Sequence, residues 1–124
     1  MSKAKTNRKY APNQAFATLR SLRCSPRKVA LVAGLIRGAS AGNALQQLTF
    51  SRKAVAKPVK ELLKSAIANA ENNHNLDIDR LFVKEVLVGK GIVMKRFAAR
   101  ARGRSSRIEK PFSNITIVLE EGAE

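Results

Sequence analysis

An α+β fold with a protruding, basic β-hairpin is what this sequence predicts, on three observations. Up to about residue 75 the apolar residues recur mainly at helical spacing, after one short strand-like stretch; from Leu76 the period shortens toward that of strands. The strand-like segments LFVKEVLVGKGIV and ITIVL stand close enough in sequence to pair as a hairpin. Between them, from Lys95 to Lys110, stand seven Lys or Arg residues and one acid, Glu109. A basic run at a chain end is commonly a disordered tail. Held between two strand patterns, it is a hairpin tip aimed at something anionic.

Residues 1–13, with Lys3, Lys5, Arg8, Lys9 and Pro12, read as a flexible basic arm, and residues 14–124 as one domain. AFATLRSL (residues 15–22) alternates loosely and reads as a short strand. Ser25-Pro26 opens a helix, with Ser as N-cap and Pro at a position that needs no N–H. Val29, Val32, Ala33 and Ile36 recur at helical spacing, and Gly38 is placed to stop the helix. Ser40 caps a second, short helix with Ala41, Ala44, Leu45 and Leu48 on one face. Ser51 is the expected cap of a third. Its stripe of Val55, Val59, Leu62, Leu63, Ala66, Ile67 and Ala70 is the strongest periodic signal in the chain. Pro58 lies inside that pattern, so either the helix kinks there or its regular part begins near Lys57. The Asn cluster at residues 72–75 ends it.

Residues 81–88 and 115–119 are rich in β-branched side chains and read as paired antiparallel strands. Gly89 and Gly91 mark a bulge or bend where the hairpin, over about residues 86–108, leaves the body. The turn falls near residues 99–103, with Gly103 supplying a positive φ. About ten residues per strand then project by roughly 30 Å. A two-stranded arm without a core is marginal in water, so it is expected to order against a partner.

The formal net charge is +15, and thirteen Lys or Arg residues precede the first acid, Glu61. Self-repulsion of so one-sided a field is relieved by a polyanion, and nucleic acid fits best. Arg27, Lys28, Lys53, Lys57 and Lys60 fall off the apolar stripes and are candidates for a phosphate-facing surface. Arg100, Arg102 and Arg104 share one face of a strand if the strand is regular there. Phe97 either contacts a base or cleft or packs across the hairpin; its position leaves both open.

Catalysis finds little support. His74 is the only His and falls at a helix end, and Asp77 and Asp79 fall where helix gives way to strand. One His and one Cys do not supply the three or four ligands of a zinc site. No P-loop, GxGxxG or GxSxG occurs. No metal, cofactor or enzymatic activity is expected. Cys24, the lone cysteine, suits a reducing compartment and reads as a small packing residue. The basic start of the chain lacks an apolar stretch and does not read as a secretory signal, and no apolar run approaches the roughly 18 residues that span a bilayer. A cytoplasmic protein without membrane association is expected.

SPRKVALVAGLIRG, KSAIANAENN, MKRFAARARGR and SNITIVL occur in that order. Together they closely resemble the bacterial large-subunit ribosomal protein twenty-two family, from about residue 15 to 120. The resemblance implies three helices on a three-stranded antiparallel sheet, and a long hairpin reaching toward the wall of the nascent-peptide exit tunnel. It implies binding to the large ribosomal RNA, a part in subunit assembly, neighbouring large-subunit proteins as partners and transient contact with the nascent peptide. By motif, Arg27, Lys28 and Arg37 would face RNA. Arg23, Lys53, Lys57, Lys60, Lys95, Arg96, Arg100, Arg102, Arg104 and Arg107 complete the expected RNA contacts, and Met94, Lys95, Arg96, Phe97, Arg100 and Arg102 the tunnel tip. Ala99 stands where the usual tip motif PRARGR has Pro, which makes the turn less rigid. The alternative is an architectural DNA-binding protein whose basic β-arms enter the minor groove. That reading explains the charge and the hairpin but not the all-basic first half or the four ordered blocks.

Overall fold

The computed structural model describes residues 9–122. Its elements are β1 (Gln14–Leu22), α1 (Pro26–Ile36), α2 (Ala41–Phe50), α3 (Ala56–His74), β2 (Leu81–Ala99) and β3 (Ser105–Glu121). Local chemistry accounts for most of the boundaries. Ser25 Oγ accepts from Lys28 N–H at 3.4 Å, and Pro26 follows at the first helical position. Gly38 turns with φ of 77°, which closes α1 without Cβ strain. Ser40 Oγ caps α2 through Asn43 N–H at 3.3 Å.

The expected cap of the third helix is corrected. Ser51 ends α2, and its Oγ accepts from Lys53 N–H in the connecting loop. Helix α3 begins at Ala56 without a side-chain cap, which puts Pro58 in its first turn. A proline there forfeits no intrahelical bond, so no kink is needed. At the other end Asn75 is left-handed, with φ of 54°, and Leu76 N–H donates to Ala70 O at 3.0 Å.

The three strands form one antiparallel sheet in the order β1-β3-β2. Inward-facing residues of each strand (Ala15 and Ala17; Val83 and, across a register shift, Val86; Ile115, Ile117 and Leu119) join Val29, Val32, Ile36, Leu48, Val59, Leu63 and Ala66 of the helices in a single core. Full burial of each Val, Leu or Ile contributes about 1.5–3 kcal/mol. The alanines of β1 and the α3 alanines let that helix lie close beneath the sheet. The α1–α2 connection is bonded along β2: Gly38 N–H donates to Val83 O and Val83 N–H to Ala39 O, both at 2.9 Å.

Beyond the core, β2 and β3 continue as a two-stranded ribbon. A register shift between Lys90 and Val93 places the bulge at Gly91, where an added Cβ would meet Phe112 O at 3.1 Å. Seven further rungs follow, from Val93 opposite Pro111 to Ala99 opposite Ser105. From Lys90 to Ala99 the ribbon spans on the order of 30 Å. No residue from 89 to 112 is buried. Of the basic arm expected over residues 1–13, residues 1–8 lie outside the described residues. In the remainder, Tyr10 packs on Phe16 with ring centroids 4.9 Å apart, and Glu121 N–H donates to Asn13 O at 3.0 Å.

Candidate nucleic-acid interface

Two regions hold the cations singled out in the sequence. The first lies on the helical side of the body. Lys28, in the first turn of α1, and Lys53, in the α2–α3 loop, flank a groove floored by Cys24, Leu31, Ala54 and Val55. Lys53 also borders a second depression with Lys57 and Lys60, on the first turns of α3. Lys28, Lys53, Lys57 and Lys60 therefore form one continuous surface, with Glu61 the single acid beside it. Arg23 and Arg27 are exposed near the groove in sequence. Cys24 is half-buried against the core, and its carbonyl accepts from Ser113 Oγ at 2.6 Å.

Arg37 stands apart. Its guanidinium donates to Val86 O on β2 at 2.6 Å, so at least one of its donors braces the sheet. Sequence spacing alone did not separate this role from a phosphate contact.

The second region is the ribbon. Residues directly opposite on paired strands project to the same face. Met94, Arg96 and Ala98 thus share a face with Lys110, Ile108 and Ser106, while Val93, Lys95 and Phe97 share the other with Pro111, Glu109 and Arg107. Cations occupy both faces. Arg96 lies back over its own strand, donating to Lys95 O at 3.0 Å and to Met94 S at 3.8 Å. Phe97 is 78% exposed, so it does not pack across the hairpin.

The alignment of Arg100, Arg102 and Arg104 on one strand face is corrected. The strands end at Ala99 and Ser105, and the turn carries two left-handed residues in succession, Arg102 at φ of 63° and Gly103 at 67°. The chain closes through Arg100 N–H to Arg104 O at 2.6 Å. The three arginines fan around the tip, and Arg100 folds back so that its Nε donates to Ser106 Oγ at 2.9 Å.

Carboxylate partners sort the cations. Among the described residues the ion pairs are Lys64–Glu61, Arg80–Glu121 and Lys84–Glu120. None of these three cations belongs to the expected contact set, and no member of that set has such a pair. Two of the pairs sit where β2 begins and β3 ends, at the end of the sheet opposite the ribbon. There Glu120 accepts from Gln14 Nε2 at 2.7 Å and lies 3.1 Å from Lys84 Nζ. Those two bonds, that from Gln14 foremost, hold its carboxyl below the usual carboxylate range. Asp77 and Asp79 are exposed, and Asp77 accepts from Asp79 N–H at 3.0 Å, a turn-forming contact.

Sequence reasoning missed Phe50 and Arg52. Phe50 is 83% exposed at the end of α2, and Arg52 is exposed beside Lys53. The signal was present: Phe50 falls off the Ala41, Ala44 and Leu48 stripe.

A family model described as ribosomal protein L22p/L17e matches residues 17–120, a span running from β1 through the groove and the ribbon to the end of β3. The chain belongs to that family. Proteins named large ribosomal subunit protein uL22 align over nearly its whole length. That of Brucella suis biovar 1 (strain 1330) is 60% identical over 124 residues, covering 100% of this chain and 96% of the relative. That of Agrobacterium fabrum strain C58 is 60% identical over 121 residues, covering 98% and 94%. That of Rhizobium meliloti strain 1021 is 59% identical over 121 residues, with the same coverage. The family is structural and non-enzymatic, so the role of this chain is that of a ribosomal building block. Membership gives the DNA-bending alternative no support. No helix among the described residues is long and apolar enough to cross a membrane.

Proposed function

We propose that this chain is a cytoplasmic structural constituent of the large ribosomal subunit that binds the large ribosomal RNA through both regions and sets its ribbon tip at the wall of the nascent-peptide exit tunnel. The observation that carries the reading is the partition of charge. Cations paired with carboxylates lie outside the expected contact set, while those of the groove and ribbon lack such partners among the described residues. An unneutralised surface of this kind gains affinity by displacing counterions from phosphates.

The geometry supports a division of labour. Lys28, Lys53, Lys57 and Lys60 form a broad contact on the body, with Arg23 and Arg27 exposed close by in sequence. Lys95, Arg96 and Arg107 lie on two faces of a narrow ribbon, so RNA must approach from both sides. Arg forks grip phosphate oxygens and stack on splayed bases, which suits the crowded tip of Arg100, Arg102 and Arg104. Met94 and Phe97 project apolar surface from opposite faces of the same tip, where a passing nascent peptide would touch them.

Site-specific photocrosslinking in intact ribosomes tests the reading. A probe at Arg27 should label large-subunit RNA, and one at Phe97 should label RNA and stalled nascent peptide. Labelling of chromosomal DNA, with the protein sedimenting in the nucleoid, would overturn it.

A further inference from the structure

We propose that the free edge of β1, where it faces α3, receives an extended segment of a neighbouring large-subunit protein by strand addition. The proposal rests on the placement in the large subunit argued above. The sheet has two edges. That of β2 is occupied in the body by the α1–α2 connection, through Gly38, Ala39 and the Ser40–Phe82 bridge. That of β1 carries one side-chain bond, Asn69 Nδ2 to Phe16 O at 3.1 Å.

This bond fixes the direction of the backbone. If Phe16 O points away from β3, strand alternation points the N–H and C=O of Thr18 and Arg20 the same way. The contact of 3.2 Å between Thr18 Oγ and Thr116 Oγ agrees, because opposite side chains approach closest at rungs that exchange no backbone bonds. Asn69 thus fills one outward position, and those at Thr18 and Arg20 face outward without a partner among the described residues. Natural proteins blunt or cover such edges.

The space beside the edge has the right form. Two depressions along it share Thr18 and Ser65, so they run together as one groove between strand and helix. The small side chain of Ser65 leaves its middle open. No Lys or Arg lines the groove, in a chain that has 24 of them, and its one carboxylate is Glu61. Arg20, at the end of the edge, is the one Lys or Arg on β1, so phosphate would find little counter-charge along the groove itself. Outward N–H and C=O groups at alternate residues match a peptide backbone instead.

Glu61 also states a preference. Its bond to Lys64 is long, at 3.9 Å, with side chains 66% and 54% exposed, so it is readily exchanged. The incoming segment should therefore carry a Lys or Arg opposite Glu61 and a small residue opposite Ser65. Ser21, with φ of 60°, bends β1 and limits the added strand to a few residues. So short a contact holds only when its partner is anchored elsewhere in the same particle, where effective concentration is high.

The test uses large subunits from cells whose sole copy of this protein is wild type, Thr18→Pro, Thr18→Val or Glu61→Lys. Thr18→Pro removes the outward N–H and leaves the bonds to β3 in place, as edge strands tolerate. Thr18→Val removes the hydroxyl and keeps the N–H. A density map of the wild-type subunit should show another protein's backbone about 4.8 Å from β1. Quantitative mass spectrometry should find that protein depleted several-fold in Thr18→Pro and Glu61→Lys subunits and undiminished in Thr18→Val. RNA, solvent or a second copy of this chain along the edge in the wild-type map would overturn the proposal, even if Thr18→Pro fails to fold. So would a full protein complement in Thr18→Pro subunits. Absence of the wild-type chain from large subunits would overturn the placement itself, a separate result.

Discussion

Strand β2 runs through two environments. From Leu81 to Val88 its inward side chains lie against α1 and α2, and Leu81, Val83 and Val86 are essentially inaccessible. From Gly89 to Ala99 the same strand keeps its pairing with β3 but covers nothing. The bulge at Gly91 is the border. Identical backbone geometry therefore has different origins on the two sides. In the body it is held by apolar burial; in the ribbon it is held by cross-strand bonds and a tight turn, with like charges opposing it. The difference teaches that hydrogen-bonded pairing does not by itself make a region stable, since most of the stabilising free energy comes from what the strand covers.

The largest expected separation between the regions is thermodynamic. Leu63→Ala empties a fully buried position in α3 and should cost about 2–5 kcal/mol in urea unfolding of the free protein. Phe97→Ala, on the ribbon, should stay within about 0.5 kcal/mol of wild type. Equal losses would erase the distinction. Amide exchange sharpens it: amides of residues 92–107 should exchange fast without RNA while those of α3 stay protected.

Next comes RNA affinity. Replacing Lys28, Lys53, Lys57 and Lys60 with alanine should reduce the slope of log K against log salt by roughly 3–4, at about one unit per lost phosphate contact. An unaltered slope would move the body's contact away from the groove.

A smaller effect on the body is expected from deleting Met94, Lys95 and Arg96. The deletion removes three rungs, an odd number, so Phe97 takes the face that Met94 held, opposite Lys110 rather than Arg107. The thermal midpoint of the body should hardly move, and the protein should still enter subunits. Tip position, read in a density map of the mutant ribosome, should change. Loss of assembly would show that the ribbon, not the body, anchors the chain.

The smallest effect concerns pH. Gln14 and Lys84 lower the carboxyl pKa of Glu120 in the folded state. Its contribution is then present above the ordinary carboxylate pKa of about 4.3 and is lost as pH falls through the lowered folded value. Glu120→Gln should flatten the acid limb of the body's stability curve. An acid limb of unchanged steepness would place that dependence on other carboxylates.

Most elements were legible in the sequence because their signals are local. Ser25-Pro26, Ser40 and Gly38 act within four residues of themselves, and the α3 stripe repeats through its length. The hairpin was legible because strand patterns bracket the charge. Four features were less accessible. Ser51 had the chemistry of a cap, but the loop to Ala56 intervened. The position of β3 between β1 and β2 depends on pairings about 100 residues apart, such as Gln14 with Glu120, which no local rule specifies. The tip arginines lost their shared face because Arg102 adopts a conformation expected of glycine or asparagine. The body lysines were legible as residues off the apolar stripes. Their merger into one surface required the α2–α3 loop to return beside the start of α1.

The central place of β3 also has a consequence in time. β1 and β2 both pair with β3 and hardly touch each other, and β3 follows every other element in the chain. During synthesis no sheet can close until residues 105–121 have been made and released from confinement. At about 5–20 residues per second, the three helices wait a few seconds for the surface they cover. Their apolar stripes and the thirteen early cations are exposed together in that interval. Closing a loop of about 100 residues then becomes the slow event in folding. RNA that engages the basic first half during the wait would meet a chain whose sheet has not yet formed, so folding and binding would be completed as one process.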